Sequence, residues 1–157
     1  MAGRDGRDLV QAALDSMAEG LTEEEAARSL TWRDFERFCA ELLRAAGYSV
    51  RENIYLKRPR AQLDLVGYGH LYIINLDCKR WKRAPSHSAL EGFAAAQLRR
   101  SRLIRRSVDD PRPVVSAVLA LAESEGSFVQ GVAVVPLRAF DSFLTTLESY
   151  IEMLELA

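Results

Sequence analysis

Two apolar segments separated by only four residues constrain the fold of this chain more than any other feature. The first covers residues 62–66, and the second runs almost without interruption from 71 to 78. The connection between them, Gly67-Tyr68-Gly69-His70, contains two glycines. Glycines in so short a connection favour an antiparallel hairpin, so we predict two adjacent β-strands here. The second segment has the composition of a strand that is covered on both faces.

Periodic patterns on either side of this hairpin predict an α/β protein. Thr31 is a suitable N-cap for a helix with one apolar stripe, and Gly47 is a suitable terminator. Residues 114–122 could form a strand or a helix, and we predict a strand. The remaining predicted elements are a helix at about 32–46, a strand at 48–56, a long helix at 88–106, a strand at 129–135 and a last helix at 139–155.

The predicted order is therefore helix, three strands, helix, two strands, helix, which folds into a mixed β-sheet flanked by helices. Residues 1–30 read as two short helices, the second opened by the capping sequence Thr22-Glu23-Glu24-Glu25. We predict that 1–30 form a helical N-terminal extension and that 31–157 form one domain. The chain of 157 residues is long enough to bury about 70% of its unfolded surface.

Three ionisable residues lie within the two apolar strands of the hairpin. Asp64 interrupts Leu-Asp-Leu-Val, and Asp77 and Lys79 end the next strand. Residues two apart on a strand share a face, and the hairpin brings Asp64 level with Asp77 to within a residue or two. Two converging carboxylates repel each other unless a cation lies between them. Hard oxygen ligands favour Mg²⁺ or Mn²⁺, although a buried Asp77–Lys79 ion pair and a turn-capping Asp64 would be a purely structural alternative.

The charge of the chain is unevenly distributed. Residues 79–106 contain nine basic residues and one acidic residue, a local charge of +8, whereas the rest of the chain carries −9. This asymmetry indicates an anionic partner such as a phosphate backbone, although a solvated helix face is the plain alternative. Trp81 could stack on a base or cover the edge of the core. The candidate DNA-binding residues of this stretch are Arg80, Trp81, Lys82, Arg83, Arg99, Arg100 and Arg102.

An acid on one strand, Asp-x-Lys on the next and a preceding helix with Phe35-Glu36 resemble the PD-(D/E)xK, or restriction-endonuclease-like, nucleases. The resemblance is greatest to the Mrr-type and archaeal Holliday-junction-resolvase-type branches and covers about 32–106. No proline precedes Asp64, and Asp77 stands where glutamate is commoner. The resemblance implies a restriction-endonuclease-like fold.

It also implies a role for each matching residue. Asp64 and Asp77 would bind the metal, with the backbone carbonyl of Cys78 as a possible further ligand. Glu36 would complete the metal shell or hold Lys79, and Lys79 would position the attacking water and offset transition-state charge. Gln97 resembles a family glutamine of the helix that follows, which adds it to the candidate DNA-binding residues.

These observations predict a metal-dependent DNA endonuclease, either structure-selective or of the defence type. A catalytically inactive nucleic-acid-binding or assembly subunit on the same fold is the alternative, and RNA remains open as a substrate. A junction-cutting enzyme would be a homodimer, because two sites must face one branched DNA. No apolar run approaches the ~20 residues that span a bilayer, and the polar N-terminus does not resemble a signal peptide, so we expect a cytoplasmic protein without a membrane partner.

Cys39 and Cys78 match neither a disulfide framework nor a zinc site, so we expect free thiols. Cys78 alternates with Asp77 and Lys79 and should point to the other face of the sheet. If the helix that carries Glu36 and Cys39 covers the catalytic face, the two cysteines lie on opposite sides of the sheet. We therefore predict that they are too far apart to form a bridge.

Overall fold

The computed structural model describes residues 6–81, 83–121 and 126–157. Residues 6–30 contain two helices, α1 Gly6–Ala18 and α2 Glu23–Ala27, and Thr22 caps α2 by accepting a hydrogen bond from the backbone of Glu25. No helix in the described ranges is long and apolar enough to cross a membrane. The helices are α1 Gly6–Ala18, α2 Glu23–Ala27, α3 Trp32–Ala45, α4 His87–Ser107 and α5 Phe140–Thr145, with 3₁₀ turns at Leu137–Ala139 and Leu147–Met153.

Six strands form one mixed sheet in the order β1-β2-β3-β4-β6-β5. The first three are antiparallel, as the predicted hairpin requires, while β4 runs parallel to both β3 and β6. Helix α4 makes the crossover between the parallel strands β3 and β4. The predicted fold, a restriction-endonuclease-like mixed sheet flanked by helices, is confirmed. The strands are β1 Ser49–Lys57, β2 Arg60–Tyr68, β3 Ile73–Lys79, β4 Val114–Ala120, β5 Ser127–Val129 and β6 Val132–Pro136.

The predicted caps set the position of α3. Thr31 accepts a hydrogen bond from the backbone of Asp34, and Gly47 ends the helix with φ +97°. The helix lies very close to the hairpin, because a Cβ at Gly67 would be only 2.7 Å from Leu43. A side chain at residue 67 would therefore require the Leu43 side chain to move.

Helices cover both faces of the sheet. On one face, Phe35, Phe38 and Leu43 of α3 are fully buried in the same cluster as Leu65 and Leu76. Residues 6–30 join this cluster through five buried side chains. On the other face, α4 packs through three buried apolar residues onto β4 and β6 and onto the start of β3. The five N-terminal residues are Val10, Ala13, Ala26, Ala27 and Leu30, and the α4 residues are Ala94, Leu98 and Ile104.

The cysteines are free, as expected, but their predicted separation is wrong. Cys39 and Cys78 are both buried in the cluster beneath α3, and their thiols are neighbours, since contact with Cys39 is the largest cause that raises the pKa of Cys78. Cys78 does point away from the face of Asp77, but α3 covers the face of Cys78. The alternation along β3 was therefore correct, and the error was the face assigned to α3.

Two details at the C-terminal end differ from the sequence prediction. The single strand expected at 129–135 is a hairpin, β5–β6, whose turn residues Gln130 and Gly131 have φ +50° and +80°. The single helix expected at 139–155 is interrupted after Thr145. The hydroxyls of Thr145 and Thr146 donate to the backbone carbonyl of Ser142, and such local bonds compete with the regular helical pattern.

Candidate active site

The candidate site lies where two antiparallel strands separate. The pairing of β2 with β3 runs from Tyr68 opposite Ile73 to Leu65 opposite Leu76 and then ends. The next residues along this register are Asp64 and Asp77. Beyond that point β3 remains paired with β4, while β2 remains paired with β1. The two aspartates therefore face each other across the opening between diverging strands.

Asp64 fills part of this opening. Its Oδ2 accepts a hydrogen bond of 3.0 Å from the backbone N–H of Cys78, so the carboxylate replaces a missing rung between the strands. Burial, the adjacent Asp77 carboxyl and Glu36 raise the pKa of Asp64 to about 7, against an ordinary value of 3.8. The Cys78 hydrogen bond opposes this shift without cancelling it. Without a cation, Asp64 thus holds a proton up to near neutral pH.

Asp77 and Lys79 project from β3 to the face covered by α4, as the strand alternation predicts. Lys79 Nζ lies 3.3 Å from Asp77 Oδ2 and 4.9 Å from the centre of the Phe93 ring on α4. The approach to Oδ2 is not that of a hydrogen bond, and this buried oxygen has no donor among the described residues. The structural alternative, a satisfied ion pair between Asp77 and Lys79, is therefore incomplete.

Glu36 belongs to the same electrostatic neighbourhood although α3 lies on the opposite face. Its side chain is buried, and Oε1 has no hydrogen-bond partner in the described part of the chain. Burial first, and then the charges of Asp77 and Glu52, raise the pKa of Glu36. Because β2 and β3 diverge here, a residue beneath the sheet can act on carboxylates above it.

The donor set fits a hard divalent cation in part. Two buried carboxylate oxygens, one on Asp77 and one on Glu36, lack partners, and a bound cation is what would satisfy such groups. Oxygen ligands are also those that Mg²⁺ and Mn²⁺ prefer. However, no three His, Cys, Asp or Glu side chains within the described ranges are grouped closely enough to hold an ion. The two aspartates are thus the core of the candidate metal site, with Glu36 outside it.

Gln97 differs from its sequence interpretation as a DNA contact. It is 1% exposed, and its amide group donates to the carbonyls of Asn75 and Ala117 at 2.9 and 3.2 Å. It thereby ties α4 to both β3 and β4. Its remaining oxygen accepts a bond of 3.4 Å from Arg100. Gln97 therefore positions the wall of the site and one arginine, while its own polar atoms are already used.

The residues of the basic segment after Lys79 lie in different environments. Trp81 is half-buried and packs on Phe93, with ring centres 5.3 Å apart, and on the core cluster beneath α4. This packing matches the core-covering interpretation of Trp81. Arg80 lines the site pocket, and Arg83 is exposed. The predicted DNA contact at Lys82 lies outside the described residues.

Two connected depressions surround these residues. A pocket of about 220 Å³, the acid pocket, is lined by Trp32, Asp64, Asp77 and Lys79 among others. A groove of about 710 Å³, the arginine groove, runs between α4 and the β1–β2 turn. Gln62 and Arg100 line both, so the groove leads into the pocket. The arginines of the groove are Arg60, Arg99, Arg100, Arg102 and Arg106.

The groove combines predicted and unpredicted residues. Arg99, Arg100 and Arg102 were candidate DNA contacts, whereas Gln62 was not. Trp32 at the acid pocket was also missed. The basic turn Lys57-Arg58-Pro59-Arg60 is a visible sequence signal, but nothing in the sequence says that this turn faces α4.

A protein-family model matches the segment that carries the site. The restriction-endonuclease family model of the Mrr catalytic type matches residues 27–103, which contain Glu36, Asp64, Asp77 and Lys79. No significant sequence match to a curated protein was found. Among solved structures, protein VC1899 from Vibrio cholerae is similar with a TM-score of 0.46 and 11% identity, over 94% of this chain and 51% of that one. This chain therefore spans about half the length of that protein.

Proposed function

Because residues 27–103 of this chain match the restriction-endonuclease family model, we propose that the protein is a divalent-metal-dependent DNA endonuclease. The observation that carries this proposal is the pair of facing carboxylates, Asp64 and Asp77, with Lys79 3.3 Å from one of them. A protein that only bound DNA would gain nothing from a carboxyl whose pKa is raised to about 7 and a buried oxygen without a donor.

Asp64, Asp77 and the carbonyl of Cys78 would hold Mg²⁺ or Mn²⁺, with Glu36 acting at longer range. An ion bound there supplies a Lewis acid and lowers the pKa of water, which assists attack on a phosphodiester. Lys79 carries its ammonium group on the same face of β3 as Asp77, where it offsets negative charge that develops on the phosphoryl oxygens. In the reaction, a water oxygen forms the new bond to phosphorus, the ester P–O bond breaks and the leaving oxygen takes a proton.

The arginine groove supports DNA as the polymer that reaches the acid pocket. Guanidinium groups pair with phosphate oxygens through two hydrogen bonds, and the groove offers five of them on a path that ends at Asp64 and Asp77. None of its lining residues is aromatic. The groove therefore offers no ring for base stacking, and its arginines are suited to the phosphate backbone.

A cleavage panel tests the proposal. Linear duplex, branched and single-stranded DNA, and an RNA strand, would be incubated with Mg²⁺, Mn²⁺ or EDTA. We expect cleavage of at least one DNA substrate with either metal and none with EDTA. Cutting of a four-way junction would further require a two-fold dimer, which sedimentation would detect. DNA binding without cleavage under every condition would reject the enzyme and support a non-catalytic nucleic-acid-binding subunit, and cleavage of RNA alone would reject DNA as the substrate.

A further inference from the structure

Trp32 is a large aromatic side chain that borders the acid pocket and is left half exposed by the fold. It is the first residue of α3, is 51% exposed and lines the same pocket as Asp64, Asp77 and Lys79. It belongs to none of the buried clusters and contacts no other aromatic ring among the described residues. About half of the indole is therefore left without packing contacts, and this half lies beside the candidate site.

The second tryptophan of the chain shows what a structural tryptophan looks like here. Trp81 follows Lys79 by two residues, and its ring packs against Phe93 and the core beneath α4. The two indoles therefore occupy opposite environments within the same site region. Trp81 contributes to the wall of the site, and Trp32 presents its surface to whatever enters it.

The chemistry around Trp32 indicates which kind of ligand would contact its exposed surface. The acid pocket and Lys79 are suited to a phosphodiester, and the arginine groove recognises phosphates without any aromatic side chain. An indole beside a phosphate-binding site offers a π-face to the base attached to that phosphate. Inside a duplex, both faces of a base are covered by its neighbours, so only an unpaired or displaced base can stack on a side chain.

We propose that Trp32 is a stacking platform for an unpaired nucleobase next to the scissile phosphate, which makes DNA with single-stranded or branched segments the substrate class of this site. The proposal rests on the proposed nuclease function, because only a nuclease has a scissile phosphate. The stacking itself requires no cleavage. Trp32 is a binding residue in this account, and the acids and Lys79 keep their roles.

Binding measurements in EDTA, where no metal-dependent cleavage takes place, test base stacking on Trp32 by itself. Fluorescence anisotropy would compare wild type, Trp32→Leu and Trp32→Phe on a labelled single strand, a blunt duplex and an abasic strand of equal charge. We expect Trp32→Leu to weaken binding of the normal strand roughly 5- to 100-fold, with a smaller loss for Trp32→Phe and no loss on the duplex or the abasic strand. Tyr55→Leu removes an aromatic that is 70% exposed on β1, outside the pocket, and should change nothing.

Fluorescence gives a second readout. In Trp81→Phe, Trp32 is the only tryptophan, and its emission should be quenched by the normal strand but not by the abasic strand. Equal quenching by both strands, or equal affinity of wild type and Trp32→Leu for the normal strand, would overturn the proposal. If Trp81→Phe does not fold, the anisotropy series decides alone. Absence of cleavage by a wild type that shows the stacking signature would reject the nuclease function and leave the platform standing.

Discussion

The acid pocket and the arginine groove adjoin through Gln62 and Arg100, yet their charged groups differ in sign and in exposure to solvent. In the pocket, carboxyl groups are buried and short of partners. In the groove, Arg99 is exposed, and Arg102, itself half exposed, is already paired with Glu155 at 3.0 Å. Water screens charges in the groove and cannot screen them in the pocket. Substitutions in the pocket should therefore have large effects that depend little on salt, and substitutions in the groove should have smaller effects that depend on it.

The largest effect should come from removing either acid. Asp64→Ala and Asp77→Ala should each lower cleavage by at least about 100- to 1000-fold, a loss typical of a group that stabilises transition-state charge. Both proteins should stay folded. Relief of carboxylate repulsion should leave Asp77→Ala as stable as wild type or more so, whereas Asp64→Ala also loses the hydrogen bond from Cys78. Asp141→Ala, which removes an exposed carboxylate outside the acid pocket, is the matched control. Loss of folding in both variants would instead identify the acids as structural.

Substitution of Lys79 should lower the cleavage rate more than substitution of the ring that Lys79 contacts. Lys79→Ala should reduce the rate about 100-fold while calorimetry still detects metal binding. Phe93→Leu keeps the ammonium but removes the ring 4.9 Å from it, so a drop of about 2- to 30-fold in kcat, with KM unchanged, is expected. Phe93→Tyr keeps an aromatic face and should restore most of the rate. A Phe93→Leu enzyme as fast as wild type would mean that the ring does not hold the lysine.

Substitutions in the arginine groove should change how strongly DNA binding depends on salt concentration. Arg99→Glu with Arg102→Glu should weaken DNA binding about 10-fold near physiological salt and reduce the slope of log K against log salt by about 2, one for each lost phosphate contact. Arg28→Glu reverses an exposed arginine of the N-terminal extension and serves as the control. An unchanged slope in the double variant would move the phosphate path away from α4.

The smallest effect should be a pH dependence of stability in EDTA. Asp64 has an ordinary pKa of 3.8 and a folded pKa of about 7, so between these values the folded state holds a proton that the unfolded chain has released. The free energy of unfolding should therefore fall as pH rises from about 4 to about 7, by about 1–2 kcal/mol. Urea titrations of wild type and Asp64→Asn would measure it. The slope should be reduced in Asp64→Asn, and an identical slope would locate the titrating group elsewhere.

Local features of the sequence were enough for much of the candidate site. Thr31 and Gly47 bound α3 because a side-chain cap and a left-handed glycine act within one turn. Asp77 and Lys79 share a face because strand alternation has a period of two. The short glycine connection predicted the β2–β3 hairpin, although Gly67 and Tyr68 lie within β2. The hairpin in turn predicted that Asp64 is level with Asp77 to within a residue or two.

Local reading also failed where a short-range signal was overlooked. Gly131 inside the apolar stretch 129–135 is a turn signal, and the structure places a hairpin turn there. Thr145 and Thr146 together are a similar warning within an apparently continuous helix, because their hydroxyls bond to preceding carbonyls.

What only the tertiary structure decided are contacts between elements far apart in the chain. The sequence determined that Cys78 points away from Asp77, but the face on which α3 packs decided that Cys39 meets it. The sequence determined that the turn at Arg60 and the helix around Arg102 are basic, but the packing of that turn beside α4 decided that they line one groove. Periodicity fixes which side of its own element a residue occupies. The side on which that element lies depends on the burial of the whole core, which no local pattern contains.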